Sequence, residues 1–475
     1  MQQIMPMDSF MRRIRKVHFV GIGGAGMSGI ADVMHNLGYE ISGSDIAENP
    51  VVENLRREGI RVYLSHEADN VKDVDVVVTS TAINQENIEV KTAHALHIPV
   101  VPRAEMLAEI MRFSHGIAVA GTHGKTTTTS LVASILAEGG LDPTYVIGGK
   151  LNSSAKHARL GKSKYLVAEA DESDASFLYL QPILAIVTNV DADHLPTYGG
   201  DFNRLKQTFI EFLHHLPFYG LAVVCVDDAE IRSMLPEINR PLIRYGIEQD
   251  ADVCASNIVF RGTQTQFDVM LPEKEKPLAI TLNMPGRHNI LNALAAISVA
   301  NELGVEAAAI QRALAEFAGI GRRMHMYGEA CLADNGCVTL VDDYAHHPTE
   351  IAATLDAVRK GWQGRRLVVV FQPHRYSRTR DLFEDFSQVL ADTDVLIVSE
   401  VYAAGEETIA GADGRSLCAA IRARGKVNPI FLEEIESLPE TLKALLQKED
   451  LVLTLGAGSI GRVAADLKQQ LQADA

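Results

Sequence analysis

The sequence is poor in basic residues and in long apolar segments. Its 44 Lys and Arg residues against 61 Asp and Glu residues give a formal net charge of −17. This balance argues against a general nucleic-acid-binding protein, which presents a basic surface. It is compatible with an anionic small molecule, because local clusters of cations override the mean charge. No apolar run is long enough to cross a bilayer, so we expect no membrane partner.

Cysteine is also scarce, and its spacing follows no known motif. The five cysteines are scattered and lack C-x-x-C spacing: Cys225, Cys254, Cys331, Cys337 and Cys418. This pattern predicts reduced thiols and a cytoplasmic location. The basic stretch from Arg12 to Lys16 slightly resembles the start of a signal peptide, but five glycines between Gly21 and Gly29 make a poor apolar core. We therefore predict that the protein is not exported.

The length and composition indicate a soluble protein of several domains. A chain of 475 residues suggests about three domains, and 47% hydrophobic with 22% charged residues is ordinary for globular proteins. Strands alternate with helices throughout, which predicts an α/β fold with mainly parallel, Rossmann-like sheets. We predict an N-terminal domain at 1–113, a central domain of the P-loop ATPase type at 114–321 and a C-terminal domain at 322–475.

The strongest single motif is Gly121-Thr122-His123-Gly124-Lys125-Thr126-Thr127. It joins an apolar strand, Gly116–Ala120, to a helix, and in that setting backbone N–H groups and the helix N-terminus face a phosphate. Lys125 would reach the outer phosphates, and the Thr126 hydroxyl would bind Mg²⁺. The loop is a shortened variant, because Val119 stands where the common P-loop has its first glycine. The alternative is a plain glycine-rich turn with an incidental lysine.

Two further strand ends carry polar side chains. Four carboxylates in six residues, Glu169–Asp174, follow one strand, and such a cluster needs cations nearby. Glu169 is the first choice as a Mg²⁺ ligand, and a solvated acidic loop is the alternative. His194 closes the loop after the strand Ile183–Thr188, although a lone histidine is more often structural. With Lys125 on a third strand end, these residues predict one nucleotide–metal site.

The N-terminal segment contains a second glycine-rich turn, Gly21–Gly26. It has the G-x-G-x-x-G pattern between a strand and a helix, and Asp45 follows the next strand. The pattern predicts close approach to a diphosphate, which leaves a dinucleotide such as NAD and a UDP-sugar equally open. Ser80 ends a further strand, Asp73–Thr79, at the edge where ligands collect in open α/β sheets.

Other candidates lie further along the chain. Asn289 and Asn292 share one helix face and could bind a base or a ribose, unless Asn289 only caps the helix. In the C-terminal segment, a strand leads into Gln372–Arg380, where three arginines and a histidine form a basic patch suited to carboxylates and phosphates. An ATP-type site, a diphosphate-binding domain and this patch together suggest ATP-dependent amide ligation, in which a carboxylate accepts the γ-phosphate and an amine attacks the resulting acyl phosphate.

At these motifs the sequence resembles the Mur ligase family over nearly its whole length. The resemblance lies in HFVGIGGAGMSGIA, GSD, GTHGKTTTT, EADESDASF, DADH, GRHN, GRR, DDYAHHPTE, FQPHRYSRTRD, VYAAGE and GAGS. It implies ATP at Gly121, Thr122, His123, Gly124, Lys125, Thr126 and Thr127, with Asn289, Asn292 and Arg323 near the nucleotide. It implies Mg²⁺ at Thr126, Glu169 and His194. Two departures are Pro196, where the family often has aspartate, and Met324, where phenylalanine is common.

The resemblance also implies where the other substrates bind. A uridine diphosphate would lie on Gly21, Gly23, Gly24, Ala25, Gly26, Asp45 and Ser80. Tyr344, His346, Arg375 and Arg378 would surround the muramoyl carboxylate and the incoming amino acid. The implied catalytic residues are Lys125, Glu169, His194, Arg375 and Arg378.

The activity implied by the resemblance is ATP-dependent ligation of L-alanine to UDP-N-acetylmuramate in cytoplasmic peptidoglycan precursor synthesis, by a monomer or weak homodimer. Three alternatives differ in class. A murein tripeptide ligase would join a whole peptide to the same UDP-sugar. An NAD-dependent oxidoreductase would use Gly21–Gly26 and leave Lys125 unexplained. A non-catalytic nucleotide-binding regulator would turn over no ATP.

Overall fold

The computed structural model describes residue 11 and residues 13–151, 156–332 and 336–472, and Arg12 of the basic N-terminal stretch lies outside them. The fold is α/β with three mainly parallel sheets, as predicted. The chain forms two compact units, of which the second contains 259–266, 282–288 and the chain from 319 onward, and the first contains the rest. The predicted boundaries after residues 113 and 321 stay predictions. Within the described residues, no helix combines the length and the hydropathy that a membrane span requires.

The first sheet has five parallel strands in the order β3-β2-β1-β4-β5. Its elements are β1 (Lys16–Val20), α1 (Ala25–Asn36), β2 (Glu40–Ser44), α2 (Pro50–Arg57), β3 (Arg61–Tyr63), β4 (Val76–Thr79), α3 (Ile88–Ala95) and β5 (Val100–Pro102). The strand order reverses between β1 and β4, so a crevice opens at their carboxyl ends. Gly21 follows β1 and Ser80 follows β4, which puts both predicted loops at this crevice.

The second sheet has ten strands in the order β15-β14-β13-β12-β11-β10-β6-β9-β7-β8. Its elements begin with α4 (Arg103–Arg112), β6 (His115–Ala120), α5 (Lys125–Glu138), β7 (Thr144–Leu151), β8 (Lys156–Arg159), β9 (Tyr165–Glu169) and β10 (Leu184–Val187). They continue with α6 (Phe202–His214), β11 (Leu221–Cys225), α7 (Ala229–Met234), β12 (Leu242–Gly246), β13 (Val253–Arg261), β14 (Gln264–Met270), β15 (Leu278–Leu282), α8 (Arg287–Glu302) and α9 (Ala307–Ala315). Strand β6 is apolar and buried beyond its first residue, and it pairs with β10 on one side and with β9 on the other.

The third sheet has six strands in the order β16-β17-β21-β18-β19-β20 and is antiparallel only at β16–β17. Its elements are β16 (His325–Leu332), β17 (Gly336–Asp343), α10 (Pro348–Gly361), β18 (Leu367–Phe371), α11 (Tyr376–Asp381), α12 (Phe383–Leu390), β19 (Val395–Ser399), α13 (Gly414–Ala423), β20 (Ile430–Leu432), α14 (Leu438–Leu445), β21 (Leu451–Leu455) and α15 (Ile460–Gln472). Alternate residues of β21 enter two cores, since Leu451 and Leu453 pack on one face and Val452 packs on the other.

The cysteines correct one prediction. Cys331 and Cys337 lie opposite each other in the antiparallel register of β16 and β17 and form a disulfide. The expectation that all thiols are reduced is therefore wrong for this pair, while Cys225, Cys254 and Cys418 are free. The spacing of the two cysteines along the sequence does not reveal that the strands of a hairpin place them opposite each other.

The starts of two helices matter for the site. Helix α5 begins at Lys125, so the loop lysine is itself the first helical residue. Helix α8 begins at Arg287, so Asn289 lies inside the first turn and is not the residue that caps it.

Candidate functional site

Three strand ends meet at one edge of the central sheet. Strands β10, β6 and β9 are neighbours and run parallel, with Val187 opposite Ala120 and Glu169 opposite Val119. The loop with Lys125 follows β6, the acidic run begins at the end of β9, and the loop that ends at His194 follows β10. The predicted convergence of these three strand ends is therefore present in the fold.

The loop from Gly121 to Gly124 has a backbone that suits only glycine at its first and last residues. Gly121 has φ +127° and Gly124 has φ +84°, and a Cβ atom on Gly121 would lie 2.0 Å from the Thr188 hydroxyl. The loop is held from the β10 side, because the Thr188 hydroxyl donates to the His123 carbonyl at 2.6 Å. The Asn189 amide oxygen accepts from the His123 N–H at 2.8 Å. The residues that follow β10 therefore hold the loop in a fixed conformation.

Helix α5 opens with a run of side chains that favour other structures. Thr126–Thr129 are four consecutive β-branched residues, which are poor helix formers. The Thr129 hydroxyl donates to the Lys125 carbonyl at 2.9 Å, and the Thr128 hydroxyl donates to the Asn292 side chain at 3.1 Å. The contact between Thr128 and Asn292 of α8 thus helps to hold the first turn in place. The N-terminal N–H groups of this turn and its partial positive charge suit a phosphate.

Lys125 is surrounded by oxygen atoms. Its ammonium group donates to the Gly121 carbonyl at 2.6 Å and to the Thr122 carbonyl at 3.1 Å. It also lies 2.9 Å from Glu172 Oε1 and 2.7 Å from Glu172 Oε2. Burial opposes the charge, but the carboxylates of Glu172 and Asp171 outweigh it and raise the pKa of Lys125. Lys125 is therefore a charged lysine at the loop.

The acidic run after β9 is not a solvated loop. Glu172 is 2% exposed, and Asp171 is 3.2 Å from the Arg103 guanidinium. Burial disfavours the charge of Asp171, but Lys125 and Arg103 lower its pKa. Glu169 Oε1 accepts from the Gly148 N–H at 2.6 Å. The acidic run is therefore paired with two cations, Lys125 and Arg103, as predicted for such a cluster of carboxylates.

The predicted magnesium ligands are chemically suitable. Thr126 and Glu169 offer a hydroxyl and a carboxylate, and Mg²⁺ takes oxygen ligands in proteins. His194 would add a nitrogen; it has φ +56° and its Nε2 lies 3.5 Å from Asp193. The donors sit on three neighbouring strand ends, so they fit the ion. Their roles stay predictions.

The two predicted asparagines lie behind the loop. Asn289 is 2% and Asn292 is 6% exposed, and the Asn292 amide donates to Asn289 Oδ1 at 3.2 Å. A Cβ atom on Gly124 would lie 2.6 Å from Asn292 Oδ1, so α8 is in close contact with the loop. The pair shares a helix face, as predicted, and its contact with adenosine stays a prediction.

The first glycine-rich loop is closed by an acid. The Gly23 N–H donates to Asp45 Oδ2 at 2.9 Å, and the N–H groups of Gly21 and Ile22 donate to the Ser44 carbonyl at 2.8 and 3.0 Å. A Cβ atom on Gly26 would lie 2.6 Å from the Arg103 side chain. Ala25 is the first residue of α1, and Ser80 lies at the neighbouring strand end. These predicted substrate residues thus share one edge of the first sheet.

A buried carboxylate that no sequence motif indicates lies behind this loop. Glu89 is fully buried, and its oxygens accept from the Ser44 hydroxyl and the Asn70 amide, each at 2.6 Å. His66 Nδ1 lies 2.8 Å away and His18 Nε2 lies 3.5 Å away. Burial favours the neutral acid, but these partners prevail and lower the pKa of Glu89 to about 2. Ser44 therefore links Glu89 to the loop.

The second unit brings the predicted C-terminal residues to one edge of its own sheet. Tyr344 and His346 follow β17, and Arg375 and Arg378 follow β18. Aromatic rings form a chain there, with 5.3 Å between Tyr344 and His346 and 5.8 Å between His346 and His374. Burial, together with the nearby arginines, lowers the pKa of both histidines to about 4. The edge therefore combines cationic guanidinium groups with neutral imidazoles.

His374 is the histidine of the predicted basic patch, whereas the sequence motifs did not single out Asp343. Burial raises the pKa of Asp343 to about 6. Its carboxylate accepts from the Met324 N–H at 2.7 Å and from the Ala345 N–H at 2.8 Å. Arg323, predicted to bind the nucleotide, lies 3.7 Å from Glu350 and over the Tyr344 ring. Asp343 thus connects the segment before β16 to the loop after β17.

Comparisons with known proteins agree with this architecture. The model described as Mur ligase family, catalytic domain, matches residues 16–115, the Mur ligase middle domain matches 119–300, and the Mur ligase, glutamate ligase domain, matches 322–458. The UDP-N-acetylmuramate–L-alanine ligase of Halorhodospira halophila (strain DSM 244 / SL1) is 60% identical over 464 residues, which are 97% of this chain and 95% of that protein. The chain belongs to the Mur ligase family. The family predicted from the motifs is confirmed.

Solved Mur ligase structures share the fold. The UDP-N-acetylmuramate–alanine ligase of Thermotoga maritima superposes with a TM-score of 0.82 at 28% identity, over 97% of this chain and 100% of that one. A murein peptide ligase from Psychrobacter arcticus 273-4 superposes with a TM-score of 0.69 at 24% identity, over 96% and 99%. The second likeness is one of fold alone.

Proposed function

We propose that this Mur ligase joins L-alanine to the carboxylate of UDP-N-acetylmuramate, with cleavage of ATP to ADP and phosphate. The observation that carries the proposal is the position of Lys125. It is the first residue of α5, and it lies beside the acidic run that follows the neighbouring strand β9. The 60% identity to a UDP-N-acetylmuramate–L-alanine ligase supports this substrate pair over a tripeptide. Because the substrates are precursors of peptidoglycan, we place the reaction in the cytoplasm.

In the first step a carboxylate oxygen of the UDP-sugar attacks the γ-phosphorus of ATP. A new C–O–P linkage forms, the bond from the γ-phosphorus to the bridging oxygen breaks, and ADP leaves. Lys125 neutralises the charge on the phosphate oxygens, and the N–H groups at the start of α5 hold them in line. Mg²⁺ bound through Thr126, Glu169 and His194 would supply further charge neutralisation.

In the second step the neutral amine of L-alanine attacks the acyl carbon. The C–N bond forms, the bond from carbon to the phosphate oxygen breaks, and the departing phosphate takes the proton that the nitrogen loses. Arg375 and Arg378 suit the carboxylate groups, because a guanidinium forms paired hydrogen bonds with a carboxylate. The pKa values of about 4 for His346 and His374 keep both imidazoles neutral at pH 7, so they add no competing cation.

The uridine diphosphate is assigned to the first glycine-rich loop. The turn from Gly21 to Gly24 and the N-terminus of α1 suit a diphosphate, and Asp45 and Ser80 lie at the same edge for the ribose and the sugar. Under this proposal the three domains keep the boundaries 1–113, 114–321 and 322–475, with one substrate assigned to each. We propose a monomer or weak homodimer.

The test is phosphate release by the full chain with ATP, Mg²⁺ and UDP-N-acetylmuramate, against a panel of L-alanine, glycine, L-serine and the tripeptide. We expect release that depends on L-alanine and a product heavier by one alanine residue. Release with the tripeptide alone would favour a murein peptide ligase. Reduction of NAD, followed by absorbance, would favour an oxidoreductase, and no turnover with any mixture would favour a regulator.

A further inference from the structure

We propose that Glu172 is a built-in competitor for the loop lysine: it holds Lys125 and gives it up only when a phosphate group takes its place, and it thereby sets the affinity for the nucleotide. The inference rests on the proposed ATP site. It assigns Glu172 a positioning role distinct from that of Glu169, the acid predicted to bind the metal.

The hydrogen-bonding capacity of Lys125 is the first argument. An ammonium group has three N–H donors. They are already shared among four oxygen atoms at 2.6–3.1 Å: the carbonyls of Gly121 and Thr122 and both carboxylate oxygens of Glu172. A phosphate oxygen can receive a direct hydrogen bond from Lys125 only if one of these acceptors is released.

The second argument concerns which acceptor leaves. The two carbonyls belong to a loop held by hydrogen bonds from β10 and its following turn, including Thr122 N–H to the Asn189 carbonyl at 3.1 Å. Moving either carbonyl would distort the loop that binds the phosphate. The Glu172 side chain is joined to its backbone by rotatable bonds, so it can withdraw while the loop stays in place. Glu172 is therefore the group that phosphate displaces.

The third argument concerns the cost of that exchange. The Glu172 side chain is 2% exposed, and the Tyr198 hydroxyl donates to the Glu172 carbonyl, which keeps the residue inside. A carboxylate that loses its cation in such surroundings is unfavourable. This cost is subtracted from the affinity for the nucleotide. A neutral side chain at position 172 removes the cost, so the nucleotide should bind more tightly.

The same run contains a matched control. Asp174 carries the same charge two residues later, and its Oδ1 accepts from the Ser176 N–H at 3.0 Å, an interaction that asparagine can keep. The carboxylates that raise the pKa of Lys125 are Glu172, Asp171 and Glu169. Asp174→Asn therefore reproduces the change in net charge without removing a partner of the lysine.

The experiment is calorimetric titration of the full chain with ADP in EDTA, so that no metal contributes. We expect Glu172→Gln to bind ADP about tenfold more tightly than the wild type, since a charge-assisted hydrogen bond is no longer broken. Asp174→Asn should stay within about twofold. A merely structural defect would weaken binding, so the direction of the change identifies the role.

Several results would overturn the inference. Equal or weaker binding by Glu172→Gln would show that the acid does not compete with phosphate, and an equal gain in Asp174→Asn would assign the effect to net charge. If Glu172→Gln does not fold, Glu172→Asp should show the same direction with a smaller gain, and no gain there would overturn it. If the wild type binds no ADP either in EDTA or with Mg²⁺, the proposed nucleotide site itself fails, and this inference fails with it.

Discussion

The two glycine-rich loops of the first unit follow the same plan and differ in the acid that closes them. Each loop joins a buried strand to a helix, and each contacts a carboxylate from a neighbouring strand end. In the first loop, Asp45 accepts a backbone N–H from Gly23. In the second loop, Glu172 pairs with the side chain of Lys125. Asp45 therefore accepts from the backbone of its loop, while Glu172 binds the side chain of Lys125, the only lysine of the second loop.

The difference teaches what each acid does when a ligand binds. Asp45 stabilises the turn, and behind it Ser44 connects the loop to Glu89, whose hydrogen-bonding partners include a hydroxyl and an amide. A diphosphate can bind the N–H groups at the N-terminus of α1 while these hydrogen bonds stay in place. Glu172 must be exchanged, because it holds the group that a triphosphate needs. Removing the acid should therefore weaken binding at the first loop and strengthen it at the second.

The largest expected effect comes from removing the lysine that only the second loop has. Lys125→Ala should lower alanine-dependent phosphate release by about 10³-fold, because a preorganised charge on the transition state is lost. The variant also leaves Glu172 buried without its cation and should be less stable. The double variant Lys125→Ala/Glu172→Gln should recover the melting temperature and remain inactive. Turnover near the wild-type rate in either variant would refute the role of Lys125.

Glu89→Gln tests whether the first loop rests on an ionised anchor. The pKa of Glu89 is about 2 when folded and near 4.5 when unfolded, so its contribution is present above pH 4.5 and is lost as the pH falls towards 2. That contribution is about 3 kcal/mol of unfolding free energy. Urea unfolding at pH 7, 5 and 3 should show that the difference between wild type and variant shrinks as the pH falls. The exposed Glu86→Gln should show no such trend, and a constant difference for Glu89→Gln would contradict the prediction.

Gly121→Ala and Gly24→Ala compare the steric demands of the two loops. At Gly121 a Cβ atom would lie 2.0 Å from the Thr188 hydroxyl, and φ is +127°. At Gly24 the nearest atom would be 3.5 Å away, and φ is −67°. Gly121→Ala should therefore lower the unfolding free energy by about 2 kcal/mol, whereas Gly24→Ala should stay within about 0.5 kcal/mol. Equal losses in denaturant titrations would remove this contrast.

Asp45→Asn gives the smallest expected effect and the clearest contrast with Glu172. The amide oxygen can still accept from the Gly23 N–H, but the charge that would bind ribose hydroxyls is gone. Calorimetry with UDP should show binding weakened by about tenfold. The exposed Asp69→Asn serves as the control for net charge. Tighter UDP binding by Asp45→Asn would make both acids competitors of phosphate and would end the distinction between the loops.

The sequence predicts the parts of this protein that are local. The glycines, Lys125 and the strand before them stand together in the chain, so the loop and its place at a strand end could be inferred from pattern alone. Which carboxylate contacts Lys125 could not be inferred from pattern. Glu169 and Glu172 are three residues apart, and which of them reaches the lysine depends on how the chain turns after β9. Glu89 lies 45 residues from Ser44, and only the fold of the first sheet brings them together.

The same reason explains the cysteine error. Cys331 and Cys337 become partners only in the register of an antiparallel hairpin, and the sequence carries no spacing rule for that pairing. The side chains at the C-terminal edge could be predicted more readily, because the arginines and histidines cluster within short motifs. What pattern could not supply was the ring-to-ring contact between His346 and His374, which joins two loops that follow different strands.

The four threonines at the start of α5 have a consequence for how this enzyme can be dissected. A peptide that spans the loop and the helix would have little helicity in water, because its first turn lacks the Asn292 side chain that accepts from Thr128. Affinity for phosphate is therefore acquired together with the tertiary structure, in one cooperative event. No short excised fragment should retain it, and ATP should protect the central domain against proteolysis as a whole.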